Sequence, residues 1–423
     1  MKAVFSWGAS VFRHGWLGLA GQLLTFVSLL LPISFGLVSE VAQLVLVSAI
    51  STALVIAAAC GMPSVLPAEH ADGRAKTGIV ASGLLLAAVV IVGLTVTFAL
   101  VGLLHFGVMV PAFVAVMLVS QAIYNFGIAF LVREGDFGSI ARMRLWYGGT
   151  SAAFTLGACL LEGRAGALIL ASSASFLVGG LYGLIAKWPR LIEVMRTRSD
   201  ISARGLVNYV GSHVGVIAGG LLDGVASQVT GIVIGSLGTV AGAWGVVTRV
   251  GGGFSTVGQQ LVAPVYDIRF ARAVRASAPR DAQLTLRSAT GSGLGLGAIA
   301  VSAGIALAWV SGSLAGLSAA NVAAVVAAAT LYWGATVTLG PINKFLVMMG
   351  EEKSRATWAL VRASAVVIIL LALRDQVALL AIGSASSILT IVYILLVSRA
   401  ISSRMKNPGF SGYTSSDINP RST

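Results

Sequence analysis

The amino-acid sequence predicts an all-α integral membrane protein with twelve transmembrane helices in two six-helix lobes. Hydrophobic residues make up 57% of the 423 positions and glycine supplies another 51 residues, whereas charged residues account for only 10%. A soluble domain carries about 25% charged residues, so this chain has too little polar surface to cover a water-soluble globule. The mean hydropathy of +0.92 agrees with this reading. Soluble enzymes and disordered chains are therefore excluded.

Twelve apolar runs approach or exceed the length of about 20 residues that a helix needs to cross a bilayer. The first six runs cover 16–37, 43–65, 78–103, 108–132, 145–161 and 165–186. The second six cover 206–232, 240–265, 288–310, 322–347, 357–373 and 377–397. The first run is too long for the core of a signal peptide and lacks a small-residue cleavage site, so we expect it to remain as the first helix.

Lys and Arg residues are divided unequally between the two sides that twelve spans define. The termini and the even-numbered connections hold 24 of them, and the odd-numbered connections hold two. Because cytoplasmic segments of membrane proteins are rich in Lys and Arg, both termini are predicted to be cytoplasmic. The net charge of +13 is then a topology signal, and nucleic acid is not expected as a partner. The same topology places Cys60 and Cys159 at opposite ends of their helices, so they should not pair.

An internal repeat divides the chain into two halves. Residues 130–141, at the inner end of the fourth run, and residues 345–356, at the inner end of the tenth, are identical at six of twelve positions, and Asp136 aligns with Glu351. Six helices in each half give both halves the same orientation in the membrane. The halves should therefore be related by an axis along the membrane normal, which is a common transporter plan.

The longest inner connection separates the two halves. Its apolar residues Trp188, Leu191, Ile192 and Met195 have the spacing of one face of a short amphipathic helix lying in the membrane interface, with Arg190, Glu193 and Arg196 opposite. We therefore predict an amino-terminal lobe over 1–186, a cytoplasmic amphipathic linker over 187–205, a carboxy-terminal lobe over 206–397 and a disordered cytoplasmic tail over 398–423.

Two ionisable residues within the apolar runs are the main candidates for a substrate-binding site. A charged side chain at the centre of a bilayer costs roughly 2.5 to 3.5 kcal/mol, so its presence calls for a reason. Asp223 and Arg249 each lie 13 residues from the turn near Ser236, which puts both at the same depth of about 20 Å. They can form a structural ion pair, or Arg249 can bind an anionic head group in a hydrated cavity while Asp223 holds it. The planar fork of arginine suits phosphate oxygens.

Three further residues are weaker candidates for substrate binding. Arg13 lies at the foot of the first helix, where it can equally anchor the chain among lipid head groups. His213, in the seventh run, can sense protons or can be a packed side chain. Arg362 lies five residues into the eleventh run, and we expect its long side chain to extend to the cytoplasm.

Other patterns in the sequence indicate no catalytic chemistry. The sequence contains no cluster with metal-ligand spacing, no paired catalytic carboxylates and no nucleophile beside a base, so we predict a protein that is not an enzyme and uses no metal or cofactor. Residues 291–297 are rich in glycine, but they lie in an apolar run with no preceding strand and no Gly-Lys-Ser/Thr. Gly220 and Gly224, around Asp223, are typical of close helix packing.

Three segments of the second half carry a resemblance to a known family: 237–250, 259–266 and the arginine-rich stretch 269–287. They resemble the seventh-to-ninth helix region of the bacterial polysaccharide transporters, or O-antigen (lipid-linked oligosaccharide) flippases, of the multidrug/oligosaccharidyl-lipid/polysaccharide (MOP) exporter superfamily. The resemblance implies a V-shaped fold like that of the multidrug and toxic compound extrusion (MATE) transporters, which works by alternating access. It also implies that Arg249 projects into a cationic central cavity.

The resemblance further implies a function, a location and partners. Such a flippase moves undecaprenyl-pyrophosphate-linked oligosaccharide from the cytoplasmic to the outer leaflet of the bacterial inner (plasma) membrane for surface polysaccharide biosynthesis. We expect a monomer whose partners are this lipid-linked oligosaccharide, the lipid bilayer, and a polysaccharide polymerase and glycosyltransferases. Two alternatives remain: a cation-coupled multidrug exporter with Asp223 as its coupling site, and a membrane glycosyltransferase or ligase, which the short outer loops disfavour.

Overall fold

The computed structural model describes residues 16–28, 31–32, 34–104, 109–161, 163–199, 201–234, 252, 255, 262–314, 318–373 and 375–406. Every regular element within these residues is a helix, and none is a strand. Seven of the described helices are long and apolar enough to cross a membrane, or up to nine if two bent pairs each count as one span. The prediction of an all-α, multi-pass membrane protein is therefore confirmed.

The described part of the amino-terminal half contains seven α-helices. They are α1 (Trp16–Ser28), α2 (Val38–Ala58), α3 (Met62–Val65), α4 (Asp72–Leu104), α5 (Met109–Glu134), α6 (Phe137–Leu161) and α7 (Ala165–Ile185). Helix α7 packs between α5 and α6, and α5 also contacts α2. Aromatic rings of Tyr124, Tyr147 and Phe176 meet at this junction with centroids 4.7 to 5.4 Å apart, which builds the core of this lobe.

The rest of the described chain contains nine helices. They are α8 (Trp188–Arg196), α9 (Ala203–Ser212), α10 (Val214–Ile234), α11 (Ala263–Arg275), α12 (Pro279–Leu314), α13 (Ala319–Leu339), α14 (Phe345–Met348), α15 (Glu352–Ala372) and α16 (Asp375–Lys406). Helix α13 packs against α12 and α16, and α10 packs along α15. Phe270 and Phe345 stack at 3.8 Å in the buried core. Most of the predicted eighth run, 240–265, lies outside the described residues.

Several helices extend beyond the apolar runs that predicted them. Helix α6 begins at Phe137 rather than at 145, α12 begins at Pro279 rather than at 288, and α16 ends at Lys406 rather than at 397. Their additional turns carry exposed arginines such as Arg142 and Arg287, whose long side chains keep their charge in water while the helix continues past the hydrocarbon. Arg144 of α6 is instead fully buried. The connection between the first two runs, 38–42, is also helical, because α2 begins at Val38. We use the name basic side for the face that carries residues 69–71, 135–136, 186–202 and 343–351.

Two predicted spans are bent rather than continuous. Helices α2 and α3 meet at 65°, where Cys60 and Gly61 have φ of 54° and 65° and end the first helix in the left-handed region. Helices α9 and α10 meet at 54°, with His213 at the break. The side chain of Val216, just after this second break, fills the space where Gly61 lacks a Cβ atom. Cys60 and Cys159 are both buried and unpaired, as the topology predicts.

The internal repeat has the same local structure in both halves. Gly135 and Gly350 follow corresponding helices with φ of 70° and 71°, a conformation that glycine adopts without strain. The amide of Asp136 donates to the carbonyl five residues earlier at 3.0 Å, and the amide of Glu351 does the same at 2.9 Å. Each carboxylate then accepts a hydrogen bond from the hydroxyl of the serine three residues ahead. Asp136 also accepts from the backbone amide of Ser139 and so caps the next helix, whereas Glu351 makes no side-chain cap.

Helix α8 lies where the amphipathic helix is predicted. Trp188 is about half exposed, which suits a membrane interface, while Val194 is fully buried against the amino-terminal lobe. Arg190 does not face away from the protein as the pattern indicates, because its guanidinium bonds to Asp72 at 3.1 Å. The helix is therefore fixed to the lobe by an ion pair as well as by apolar contact.

The two halves meet along α10. On one face of this helix Gly220 and Gly224 pack directly against Ile56 and Ala53 of α2, which confirms the packing role predicted for this glycine pair. On another face Gly215 and Gly219 pack against Glu352 and the next turn of α15. Helix α10 is thus in close contact with a helix of each half.

A second contact between the halves lies on the basic side. Arg275, at the end of α11, donates to the carbonyl oxygen of Pro67 at 2.6 Å and to that of Arg133 at 3.3 Å. Val65, Val216 and Val347, from three different segments, form a small buried cluster nearby. The two halves are therefore closed against each other on this side.

Candidate functional site

Asp223 lies at the centre of a charged cluster in the carboxy-terminal half. Its carboxylate accepts a hydrogen bond from Arg355 at 2.9 Å, and its second oxygen bonds to Arg362. Both arginines lie on α15, seven residues apart and so on one face of the helix. Their side chains are 7% and 11% exposed, and that of Asp223 is 15% exposed. The carboxylate therefore holds two guanidinium groups side by side, and all three groups are largely buried.

The packing of α10 on α15 explains how this arrangement is reached. Gly215 and Gly219 carry no side chains, so their backbone lies against α15 at about the closest distance that helices allow. Asp223, one turn beyond Gly219, then faces the same helix at the level of Arg355 and Arg362. A carboxylate on a short stem can reach both guanidinium groups only at such a helix separation.

Aromatic and amide groups complete the cluster. The ring of Trp358 lies 4.8 Å from the guanidinium carbon of Arg355 and 5.6 Å from that of Arg362, within the range of cation–π attraction. The side-chain oxygen of Asn343 accepts a second hydrogen bond from Arg355 at 3.1 Å. The backbone carbonyl of Asn343 accepts one from the hydroxyl of Tyr393 at 2.6 Å. We define the C-lobe cluster as Asp223, Asn343, Arg355, Trp358 and Arg362.

The C-lobe cluster carries an excess of positive charge. Two guanidinium groups face one carboxylate, which leaves a formal charge of +1. One nitrogen of Arg355, Nη1, is buried and has no hydrogen-bond partner within the described part of the chain. A buried charged donor without a partner costs free energy, and an anion that reaches it would gain a charge-assisted hydrogen bond. The arrangement is therefore suited to an anionic group such as phosphate.

Two of the five predicted site residues meet in this cluster. Asp223 and Arg362 bond directly, whereas Arg13 and Arg249 lie outside the described residues, and so does the predicted pair between Asp223 and Arg249. The expectation that Arg362 extends to the cytoplasm is wrong, because its side chain is buried and paired. A carboxylate on the adjacent helix is closer than water, and it satisfies the guanidinium without the side chain having to extend.

Arg355 is the functional residue that the sequence analysis missed. In the sequence it belongs to the Lys and Arg residues of the even-numbered connections, which indicate only the topology. The spacing of Arg355, Trp358 and Arg362, at steps of three and four, puts two cations and an indole on one helix face. That pattern was the available signal in the sequence.

His213 lies apart from the cluster, at the break between α9 and α10. Its side chain is fully buried. Atom Nδ1 lies 2.8 Å from the carbonyl oxygen of Tyr209 and 3.0 Å from the hydroxyl of Ser212, and Nε2 lies 3.6 Å from the carboxylate of Glu352. His213 is therefore a partnered side chain at a bend, and it does not touch the C-lobe cluster.

Carboxylates on the basic side are held by neighbouring cations. Arg133 donates to Asp72 at 2.7 Å, and Lys187 lies 2.9 Å from Asp136. Burial raises the pKa of Asp136, but hydrogen bonds from Ser139 and Lys187 outweigh it and hold this pKa below its usual range. Burial raises the pKa of Glu69 above its usual range despite the nearby charge of Arg74. All of these groups belong to the amino-terminal half or the linker, so their pairing fixes the basic side of that half.

The fold is shared with solved MATE transporters. A MOP superfamily transporter from Pyrococcus furiosus, described as having a binding pocket of reverse polarity that suggests a different function, matches with a TM-score of 0.67 and 18% identity over 92% of this chain and 94% of that chain. An outward-facing multidrug resistance MATE family transporter matches with a TM-score of 0.65 and 16% identity over 92% and 94%. The Vibrio cholerae MATE transporter VcmN in its bent form matches with a TM-score of 0.62 and 16% identity over 95% and 99%.

These similarities establish the architecture. The chain is a membrane protein with the two-lobed, V-shaped fold of MATE transporters of the MOP superfamily, and at such low identity the likeness extends to the fold alone. No protein-family model and no curated protein sequence matches the chain.

Proposed function

We propose that this protein is a flippase that moves undecaprenyl-pyrophosphate-linked oligosaccharide from the cytoplasmic to the outer leaflet by alternating access, for surface polysaccharide biosynthesis. The observation that carries the proposal is the C-lobe cluster, in which two buried arginines face one carboxylate and one guanidinium nitrogen has no partner among the described residues. A pyrophosphate head group offers the oxygens that such guanidinium groups bind in pairs.

The residues of the cluster have distinct roles in this proposal. Asp223 keeps the two guanidinium groups aligned while the site is empty, which offsets part of the cost of burying them. An arriving pyrophosphate oxygen bonds to Nη1 of Arg355 and competes with Asp223 for Arg362. Arg249 enters the proposal from the sequence alone, as a further cation in the central cavity. The prenyl chain stays in the lipid, because each buried CH₂ group favours hydrocarbon over water by about 0.8 kcal/mol.

Alternating access requires that the two halves separate on the basic side. Arg275 and the valine cluster of Val65, Val216 and Val347 close that side in the structure. Loading from the cytoplasmic leaflet would break these contacts, and the substrate would have to bind the two states with different affinity for the movement to follow. We place the protein in a bacterial inner membrane with the basic side facing the cytoplasm.

Flipping of the lipid-linked substrate tests the proposal. Full-length protein in proteoliposomes should move undecaprenyl-pyrophosphate oligosaccharide between leaflets, and Arg355→Gln or Arg362→Gln should slow this at least tenfold, since a hydrogen bond to a charged group contributes about 1.5–3 kcal/mol. Arg287→Gln, which removes an exposed arginine of α12, is the matched control. Normal flipping by both cluster variants at normal protein levels would rule out this site.

A cation-coupled multidrug exporter is the second candidate. It is supported by the names of the structural neighbours, one of which is a multidrug resistance transporter. For that function Asp223 must bind and release a cation, although two arginines already neutralise it. Raised drug resistance on overexpression, abolished by Asp223→Asn and without flipping of the lipid substrate, would favour the exporter.

A further inference from the structure

His213 and Glu352 lie side by side where the bend between α9 and α10 contacts the start of α15. His213 lies at the 54° bend between α9 and α10, and Glu352 is the first residue of α15. Gly215 lies two residues after the bend. A Cβ atom at this position would lie 3.1 to 3.2 Å from atoms of Glu352. Because Gly215 has no Cβ, the start of α15 can pack against the bend.

The hydrogen bonds of His213 fix which ring nitrogen carries the proton. The carbonyl oxygen of Tyr209, 2.8 Å from Nδ1, can only accept, so Nδ1 must be the donor. This assignment follows from the hydrogen-bond network. In the neutral ring Nε2 then has a lone pair, which faces the Glu352 carboxylate at 3.6 Å. Two acceptors face each other in the absence of a further proton.

That geometry binds one proton. If Glu352 is ionised, protonation of Nε2 converts a repulsive contact between two acceptors into an ion pair with a shared hydrogen. The Nε2–H bond forms with a proton taken from water, and the same bond breaks when the proton is released. The side chain of His213 is fully buried, whereas that of Glu352 is 10% exposed, so the carboxylate provides the route to water.

Other titratable or charged groups around the pair come from three elements. Tyr209 of α9 stacks on the imidazole with ring centroids 4.3 Å apart. Cys60, in the turn after α2, lies within electrostatic range of Glu352, and Arg74 of α4 within range of His213. Burial of the imidazole and the charge of Arg74 oppose its protonation, whereas the charge of Glu352 favours it. The balance between them depends on how α4, α10 and α15 are arranged, so a movement of the halves changes it.

We propose that His213 and Glu352 form a proton-binding pair whose occupancy sets the bend between α9 and α10 and thereby links proton uptake to the movement of the two halves. Helix α15 connects the pair to the C-lobe cluster, because Arg355 and Arg362 lie three and ten residues after Glu352. The inference rests on the protein being a transporter, but it is independent of which substrate is moved.

Nitrogen NMR of ¹⁵N-histidine-labelled, full-length protein in lipid nanodiscs tests the pair directly. The chain has four histidines, and the signal missing from His213→Gln identifies this one. We expect the Nδ1–H form at high pH, and in Glu352→Gln we expect protonation to need a roughly tenfold higher proton concentration, because the favourable charge is lost. Glu193→Gln, at an exposed position of α8, is the control. An unchanged titration of His213 in Glu352→Gln would overturn the pair.

The link to movement is measured without any transported substrate. Spin labels at Leu161→Cys and Leu371→Cys, both exposed at helix ends opposite the basic side, report the separation of the halves in a background lacking Cys60 and Cys159. We expect the distance distribution to change between about pH 5 and pH 8, where imidazole titrates, and the change to be lost in His213→Gln and Glu352→Gln. His70→Gln, at an exposed position, should keep it.

Each outcome separates the proton pair from the flippase proposal. A pH response that persists in both variants would show that another group controls the movement and would overturn the linkage. Glu352→Asp, which keeps a carboxylate on a shorter stem, should retain a weakened response, so a loss caused only by misfolding can be recognised. If the protein moves no lipid-linked oligosaccharide but shows the expected titration and distance change, the pair stands and the substrate assignment fails.

Discussion

Arg275 donates a 2.6 Å hydrogen bond to the backbone carbonyl of Pro67 and so ties the end of α11 to the opposite half of the molecule. Because the acceptor is a main-chain atom that carries no charge, this contact does not depend on the protonation of a partner. It closes the basic side with a group that remains charged at all relevant pH values.

Removal of this contact should open the basic side. In Arg275→Ala the two halves lose a charge-assisted bond of about 1.5–3 kcal/mol, which corresponds to at least a tenfold shift toward the open state. The readout is the labelling rate of Val216→Cys, at a position buried between the halves, in a background lacking the native cysteines. Arg280→Ala, at an exposed position, is the control. Equal labelling of both variants would mean that Arg275 does not hold the halves together.

Loss of the carboxylate at the centre of the C-lobe cluster should have two opposite effects. Asp223→Asn leaves two buried guanidinium groups without their counter-charge, so the free energy of unfolding should fall by about 3–5 kcal/mol. The same variant should bind inorganic pyrophosphate more tightly than wild type, because the carboxylate that competes with it for Arg362 is gone. Thermal unfolding of the detergent-solubilised protein, with and without pyrophosphate, measures both. A destabilised variant that shows no added stabilisation by pyrophosphate would argue for a purely structural ion pair.

Two adjacent glycines in α6 should respond very differently to the same substitution. A Cβ at Gly148 would overlap the backbone of Gly21 in α1, whereas a Cβ at Gly149 would meet nothing within 4 Å. Gly148→Ala should therefore destabilise the protein by about 1–3 kcal/mol through overpacking. Gly149→Ala should be neutral or should stabilise the helix by up to about 1 kcal/mol. Thermal unfolding of the pair checks this, and equal melting temperatures would contradict the close packing of α1 on α6.

The cap at the start of α6 should make stability depend on pH. The pKa of Asp136 is lower in the folded protein than its usual value of about 3.9, so its contribution is present above that pH and is lost as the pH falls through the folded value. Asp136→Asn should cost about 1 kcal/mol at neutral pH, and this difference should disappear in acid. Asp281→Asn, at an exposed position in α12, should show a smaller effect. A cost that stays constant down to low pH would exclude the ionised cap.

The sequence predicted the membrane class and the repeat because both depend on regular patterns. Apolar runs identify spans, and the glycine and acidic residues at 135–136 and 350–351 recur with the same geometry in the structure. Helix ends were less predictable, since Arg and Lys allow helices such as α6 and α12 to continue past the hydrocarbon. No proline marks the bend at His213 in the sequence. The bend depends on the packing of Gly61 against Val216, which are distant in sequence.

The site was predicted only in part, for a related reason. Asp223 and Arg362 stand out because a charge within an apolar run is rare, but their pairing depends on the contact of α10 with α15. Arg355 lies two residues before the run 357–373, in a connection where charge is common, so its burial beside Trp358 is evident only in three dimensions. Arg249 and Arg13 remain predictions.

The two glycine faces of α10 determine how closely it packs against a helix of each half. The main chain of α10 lies against both neighbouring helices, at Gly215 and Gly219 on one side and at Gly220 and Gly224 on another. At Gly220 the side chain of Ile56 fills the space left by the missing Cβ, and Asp223, between Gly220 and Gly224 in sequence, pairs with the arginines of α15. Helix α10 is therefore held to a helix of each half, and any separation of the halves must break its fit to α2 or to α15. A bulky residue at any of these four glycine positions should force such a separation.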